Sequence, residues 1–163
     1  MLKPRLVLFS LLALLSCRLF SADQAPETTM GPRRPGVINP QTPAYWVDDF
    51  EYAQAQAQKK QKKMVLLFTG SDWCVWCKRL NKEFLQQDRF KELAKSKFIP
   101  VYLDFPARKS MPMQLKEQND KLREKFEIPG YPMLVVLSPK GDVIDKLSYD
   151  KKFLDMLEAA LAK

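Results

Sequence analysis

Two cysteines three residues apart, Cys74 and Cys77, sit in the stretch FTGSDWCVWCKRL, between an apolar run and an amphipathic one. Such a pair can hold a metal, staple a loop or exchange electrons with other thiols. A structural zinc site needs four ligands, and one C-x-x-C supplies two. The chain has no histidine, and its third cysteine is the distant Cys17, so no metal is expected. Haem attachment needs a histidine after the second cysteine, where Lys78 stands. Met111 and Met113 lie in an irregular stretch, where methionine more often fills gaps than binds copper. As a structural staple the pair would close a very small loop and constrain the unfolded chain little.

Redox exchange explains more of the pattern. Cys74 is placed to open a helix, where unpaired N–H groups and the helix dipole stabilise a thiolate. Cys77 shares a face with Leu80 and Phe84, at steps of three and four, and so should point towards the core. This predicts unequal roles. Cys74, exposed and with its pKa lowered, attacks a disulfide; Cys77, shielded, resolves the mixed disulfide. The helical offset of three brings the two sulfurs within bonding reach. The lack of histidine also removes Cys-His nucleophilic catalysis and any imidazole acid or base.

The elements that must position this pair follow from periodicity. Thr42-Pro43 reads as an N-cap with proline in the first turn, opening a helix whose stripe is Trp46, Phe50, Ala53 and Ala57. Met64–Thr69 is a short apolar strand covered on both faces. A helix starts near Cys74, helical turns follow over Asp88–Lys95, and Phe98–Asp104 is a second strand. After an irregular Phe105–Met113 comes a charged helix with Leu115, Leu122 and Phe126 on one face. Met133–Leu137 and Val143–Leu147 flank the turn SPKGD. Asp150 caps a last helix with Phe153, Leu154, Leu157 and Leu161 inward. Strands alternating with helices and ending in an antiparallel pair give an α/β fold, a central mixed sheet with helices on both faces.

The first 22 residues read as an export signal: Lys3 and Arg5 precede the apolar run LVLFSLLALL, which is short for a membrane-spanning helix. Leu14-Leu15-Ser16-Cys17 resembles a lipobox, so either Cys17 becomes a lipidated N-terminus or cleavage falls near Ala22. Residues 23–43, with five prolines, read as a disordered linker, and 44–163 as one domain. The expected location is the periplasm, an oxidising compartment, with membrane contact only through a lipid on Cys17. The net charge of +8 comes largely from surface lysines such as the run Lys59-Lys60-Gln61-Lys62-Lys63. No nucleic-acid recognition module accompanies them.

Taken together, Trp46 in a leading helix, KMVLLFTG, then DWCVWCK (Asp72–Lys78) and a proline before a later strand, Pro132 in PGYPM, resemble the exported thioredoxin-like disulfide reductases of the DsbH kind and the C-terminal domain of the membrane reductase DsbD. The resemblance covers residues 42–163. It implies a thioredoxin fold, with Phe105–Gln118 as a short insertion before a cis-proline at Pro132. The backbone of Tyr131 would then be free to pair with an extended substrate. Trp73, Val75 and Trp76 would complete the substrate surface, although Trp73 could equally pack helix against sheet.

Two departures matter. Thioredoxins bury an aspartate in the strand before the dithiol, but Leu67 and Phe68 stand there. Asp72 is a candidate proton acceptor for Cys77, and also a candidate turn or helix-cap residue. Strongly oxidising relatives carry histidine between the cysteines, whereas Val75 and Trp76 add no cation near Cys74, which favours a reductase. The expected protein is a monomeric dithiol reductase with no cofactor beyond its own redox-active pair. Its electrons would come from a DsbD-type membrane reductase and pass to exported disulfide proteins. An oxidase or isomerase, or a redox-inactive binding module, are the alternatives.

Overall fold

The computed structural model describes residues 39–163. The signal segment, the lipobox cysteine Cys17 and most of the proline-rich linker lie outside the described residues. Five helices and four strands follow: α1 (Phe50–Lys60), β1 (Lys63–Thr69), α2 (Val75–Leu80), α3 (Asp88–Ser96), β2 (Phe98–Asp104), α4 (Met113–Lys125), β3 (Met133–Leu137), β4 (Val143–Ser148) and α5 (Phe153–Ala162). The strands form one mixed sheet in the order β2-β1-β3-β4. β1 runs parallel to β2 in the register Lys63↔Phe98 to Thr69↔Asp104, and antiparallel to β3. β3 pairs antiparallel with β4.

β1 is buried from Met64 to Thr69 because both of its faces are covered. Alternate side chains of a strand serve opposite faces. Val65 and Leu67 join a core with Leu80 of α2, Phe90 of α3 and Phe153 and Leu157 of α5. Phe68, of the other parity, meets Phe126 edge-on at the end of α4, with centroids 6.3 Å apart. Burying this apolar surface is the main force holding the layers together.

The start of the domain differs from the sequence expectation. Thr42 and Pro43 do not open a helix, and the first helix is capped seven residues later by Asp49, whose Oδ1 accepts the Tyr52 N–H at 3.0 Å. Trp46 lies outside the helix and is buried, stacked on Phe90 at 5.8 Å and edge-on to Tyr102. The reason is competition from the sheet. Val47 forms a parallel bridge to β2, donating to the Pro100 carbonyl at 2.9 Å and accepting from the Tyr102 N–H at 2.7 Å. Pro100 is tolerated inside β2 because its missing N–H faces this short bridge rather than β1.

Residues 39–43 are folded against the domain rather than belonging to a free linker. Asn39 is buried, and its N–H and the Thr42 hydroxyl both donate to Asp48 Oδ2. The irregular stretch after β2 ends at Pro112, so the second half of the expected insertion is the opening of α4. At the other end Asp150 is not the N-cap of α5; Lys152 holds that position, and the Asp150 carboxylate accepts the Lys152 N–H in a local turn. The β3–β4 connection turns at Gly141, whose φ of 98° suits glycine, and the Ser138 Oγ accepts the N–H groups of Lys140 and Asp142.

Candidate active site

The two cysteines lie where β1 gives way to α2. Cys74 is the N-cap of α2, with extended backbone (φ −76°, ψ 108°), and its sulfur accepts the Cys77 N–H at 3.1 Å. Its own N–H donates to the Gly70 carbonyl at 2.9 Å, which closes the turn leading from the strand. Cys74 and Cys77 are joined by a disulfide, with their Cα atoms 5.2 Å apart. α2 then continues as a π-helical turn over Asn81–Leu85.

The expected contrast in exposure is absent from this oxidised form: Cys74 is 5% exposed and Cys77 4%. The asymmetry lies instead in their surroundings. Cys74 is flanked by the exposed Trp73 and Val75, whereas Cys77 lines a partly open pocket whose apolar members include Leu67, Leu85 and Trp46.

The Tyr131–Pro132 peptide bond is cis. Trp73 meets the Tyr131 ring edge-on at 5.8 Å, so the residue before Cys74 touches the residue before Pro132. The Trp73 indole N–H donates to the Phe105 carbonyl at 2.8 Å, and the Phe105 and Tyr131 rings lie 5.0 Å apart. The Arg123 guanidinium sits over Phe105. Burial raises the Tyr131 phenol pKa, opposed by a hydrogen bond with Arg123. Trp73 is thus packed against Tyr131 and Phe105 and yet 46% exposed. Gly70 makes that position available, since a Cβ there would stand 2.5 Å from the Trp73 ring.

Trp76, half exposed, leans the other way. Its ring lies 5.2 Å from that of Tyr149, and the Arg79 guanidinium covers both. Arg79 pairs with Glu83 at 2.7 Å, and the Tyr149 hydroxyl donates to the same carboxylate at 2.6 Å. The tyrosine hydrogen bond, then the arginine, hold the Glu83 carboxyl below its usual range.

Asp72 is occupied by the chain. Its carboxylate accepts the N–H groups of Ala107, Arg108 and Lys109 at 3.0, 2.7 and 3.1 Å. These donors, Ala107 first, lower its pKa, which makes it a weak base for a thiol and a tie for the insertion beside the dithiol. A carboxyl with a lowered folded-state pKa keeps its stabilising contribution above the unfolded value, about 3.9, and loses it as pH falls through the folded value. The 107–109 amides should therefore exchange slowly at pH 5 and above. They should be released on acidification below about pH 4, and exchange several-fold faster at neutral pH in Asp72→Asn. Hydrogen exchange followed by mass spectrometry checks this; unchanged protection in D72N would show that the loop is held by other contacts.

Residues 45–139 match the Thioredoxin-like family. The chain belongs to the thioredoxin-like family. The disulfide bond reductase DsbH of Chlamydia pneumoniae is 33% identical over 101 residues, 61% of this chain and 61% of that protein, so the match spans less than two thirds of the relative. A solved DsbH oxidoreductase superposes with a TM-score of 0.68 at 24% identity, covering 81% of this chain and 95% of the other. The oxidised C-terminal domain of Neisseria meningitidis DsbD gives a TM-score of 0.53 at 21% identity, covering 71% and 98%. These two structural likenesses speak for the thioredoxin fold.

Several residues of this site escaped the sequence reading. Phe105 and Arg123 come from the insertion and α4, Tyr149 from the loop after β4, Ser71 from the turn after β1 and Asp104 from the end of β2. Asp104 carried a legible signal, an acid closing the apolar strand FIPVYLD, and it is 1% exposed. Tyr149 carried none, because only the β3–β4 hairpin brings it to Trp76.

Proposed function

We propose that this protein is an exported thiol-disulfide oxidoreductase acting as a dithiol reductase. The carrying observation is the Cys74–Cys77 disulfide at the start of α2, linked through the Trp73–Tyr131 contact to the cis bond at Pro132. In the working direction the reduced Cys74 thiolate attacks a substrate disulfide, breaking its S–S bond, releasing one sulfur as a thiolate and leaving the other in a mixed disulfide with Cys74. Cys77 then attacks Cys74 Sγ, the substrate thiolate leaves, and two electrons have passed to the substrate. An extended substrate segment pairs with the backbone of Tyr131, and its apolar side chains rest on Trp73, Val75 and Trp76.

The reductase direction is supported by Val75 and Trp76, which place no cation between the cysteines. The name of the relative DsbH points the same way. The electron donor is a DsbD-type membrane reductase and the substrates are exported proteins, in the periplasm; a lipid on Cys17 is the proposed anchor. Among the described residues no helix is long and apolar enough to cross a membrane. The test is catalysed reduction of insulin by a small thiol, together with re-reduction of the Cys74–Cys77 disulfide by the isolated C-terminal domain of a DsbD-type protein. Turnover in both assays is expected. Failure to accelerate insulin reduction would leave the redox-inactive binding module as the better reading.

A further inference from the structure

For Cys77 to resolve a mixed disulfide it must lose a proton, and a thiol enclosed in apolar surroundings loses one reluctantly. The surroundings of Cys77 can be enumerated. The cavity beside it has a volume of about 120 Å³, and its polar lining is Thr69, Ser71, Lys78, Asn81 and Tyr102. Polar cavities of this size are large enough to hold water. Lys78 is a cation whose Nζ donates to the Asp72 carbonyl at 2.9 Å. The Tyr102 phenol is pushed well above its usual pKa by burial and then by the Asp104 charge, opposed by a hydrogen bond with Ser71. It therefore stays protonated at neutral pH. Neither group is a proton acceptor.

Ser71 differs from the rest. Its hydroxyl donates to Asp104 Oδ2 at 2.6 Å, and its N–H donates to Asp104 Oδ1 at 2.9 Å. Asp104 is buried at 1% exposure, and its backbone carbonyl is held by Asn119 Nδ2 at 2.9 Å. The register Thr69↔Asp104 sets this carboxylate across from the last residue of β1, two positions before Ser71. On its far side Asp104 borders a second cavity, where Lys109, Lys116 and Asp120 are the charged groups. A buried carboxylate thus reaches the Cys77 cavity through one hydroxyl.

We propose that Ser71 and Asp104 form a proton relay for the resolving thiol. The Cys77 proton passes across the cavity to Ser71 Oγ while the Ser71 hydroxyl proton moves to Asp104 Oδ2. The Cys77 thiolate forms a bond to Cys74 Sγ, the bond from Cys74 to the substrate sulfur breaks, and the substrate leaves with the electron pair and takes a proton from solvent. Once the Cys74–Cys77 disulfide has formed, Asp104 returns a proton to Ser71 Oγ, and Ser71 releases the proton it took from Cys77 to water in the pocket, which resets the relay. Neither residue is placed on the reacting sulfurs, so both act by positioning the proton. The proposal rests on the oxidoreductase reading.

The test separates the two thiol steps. Reduced protein is mixed with 5,5′-dithiobis(2-nitrobenzoate): Cys74 releases the first thionitrobenzoate, and Cys77 releases the second by attacking the resulting mixed disulfide. Stopped-flow absorbance across the range from about pH 5.5 to 9 reads both phases. In Asp104→Asn the second phase should slow at least about tenfold at neutral pH, with its pH midpoint moved upward, while the first phase stays within about twofold. Ser71→Ala keeps the backbone donor to Asp104 and should show the same selective loss; the double variant should lose little more. Second phases unchanged in both variants, or both phases slowed by one common factor, would overturn the relay. If D104N does not fold, S71A alone decides by the same criterion. Insulin reduction by the wild-type protein is measured in parallel. No catalysis there, with normal biphasic release, sinks the functional reading and leaves the relay standing.

Discussion

Replacing Cys74 with serine should reduce catalysed disulfide reduction to the rate of the small thiol alone, whereas Cys77→Ser should accumulate a mixed disulfide through Cys74. The asymmetry follows from position. The Cys74 sulfur caps the start of α2 and accepts the Cys77 N–H, an arrangement that would support a thiolate there. Cys77 lies within the first turn of α2 rather than at its start, beside a pocket of mixed polar and apolar lining. That support favours the Cys74 thiolate over an unperturbed thiol. The lower basicity takes back part of that gain in intrinsic nucleophilicity. The ionised fraction is the larger effect, so Cys74 should be the faster-labelled thiol. Alkylation of the reduced protein, read by peptide mass spectrometry, measures the ratio. Equal rates at both cysteines, or trapping by C74S instead of C77S, would reverse the assignment of attacking and resolving thiols.

The elements around this site were legible in proportion to how local their causes are. β2 and β3 are found where the apolar runs FIPVYLD and MLVVL place them, since a buried strand announces itself by composition. The start of α2 at Cys74 follows from the switch to helical spacing. The first helix was misplaced because Thr42-Pro43 is a sound local start signal overruled by distant contacts. Trp46 is worth more in the core against Phe90, and Val47 more as a bridge to β2, than either is in an added helical turn. The role of Asp72 was equally hidden: its three donors are N–H groups of the insertion, and no spacing in the sequence relates residue 72 to residues 107–109. The Arg79–Trp76–Tyr149 arrangement likewise needs the hairpin and α2 to meet. Short-range chemistry was readable; partners supplied by tertiary structure were not.

The standard potential should fall within about 40 mV of thioredoxin's, near −270 mV, rather than near the −120 mV of DsbA. The argument is one of magnitude. A gap of 150 mV in a two-electron couple is about 7 kcal/mol of extra stabilisation of the reduced dithiol. A helix terminus gives a thiolate about 0.3–1 kcal/mol, or about 2 when partly buried. A hydrogen bond to a charged group adds about 1.5–3 kcal/mol. Both are available to Cys74, but they belong to any C-x-x-C that opens a helix. The remainder would have to come from groups between or over the cysteines. Val75 has no polar side-chain atom, and it is 74% exposed. Trp76 turns its ring towards Tyr149, and the cation nearest that ring, Arg79, is neutralised by Glu83. The Lys78 ammonium is directed to the Asp72 carbonyl. Val75, Trp76 and Lys78 thus add no donor for the thiolate, so the reduced form should gain little over thioredoxin's and the disulfide should be a weak oxidant. Equilibration with a reference thioredoxin, followed by quantifying the oxidised fraction, measures the potential; a titration of Cys74 should place its pKa nearer 7 than 3.5. A potential near −120 mV would falsify the reductase direction and make disulfide formation the working reaction.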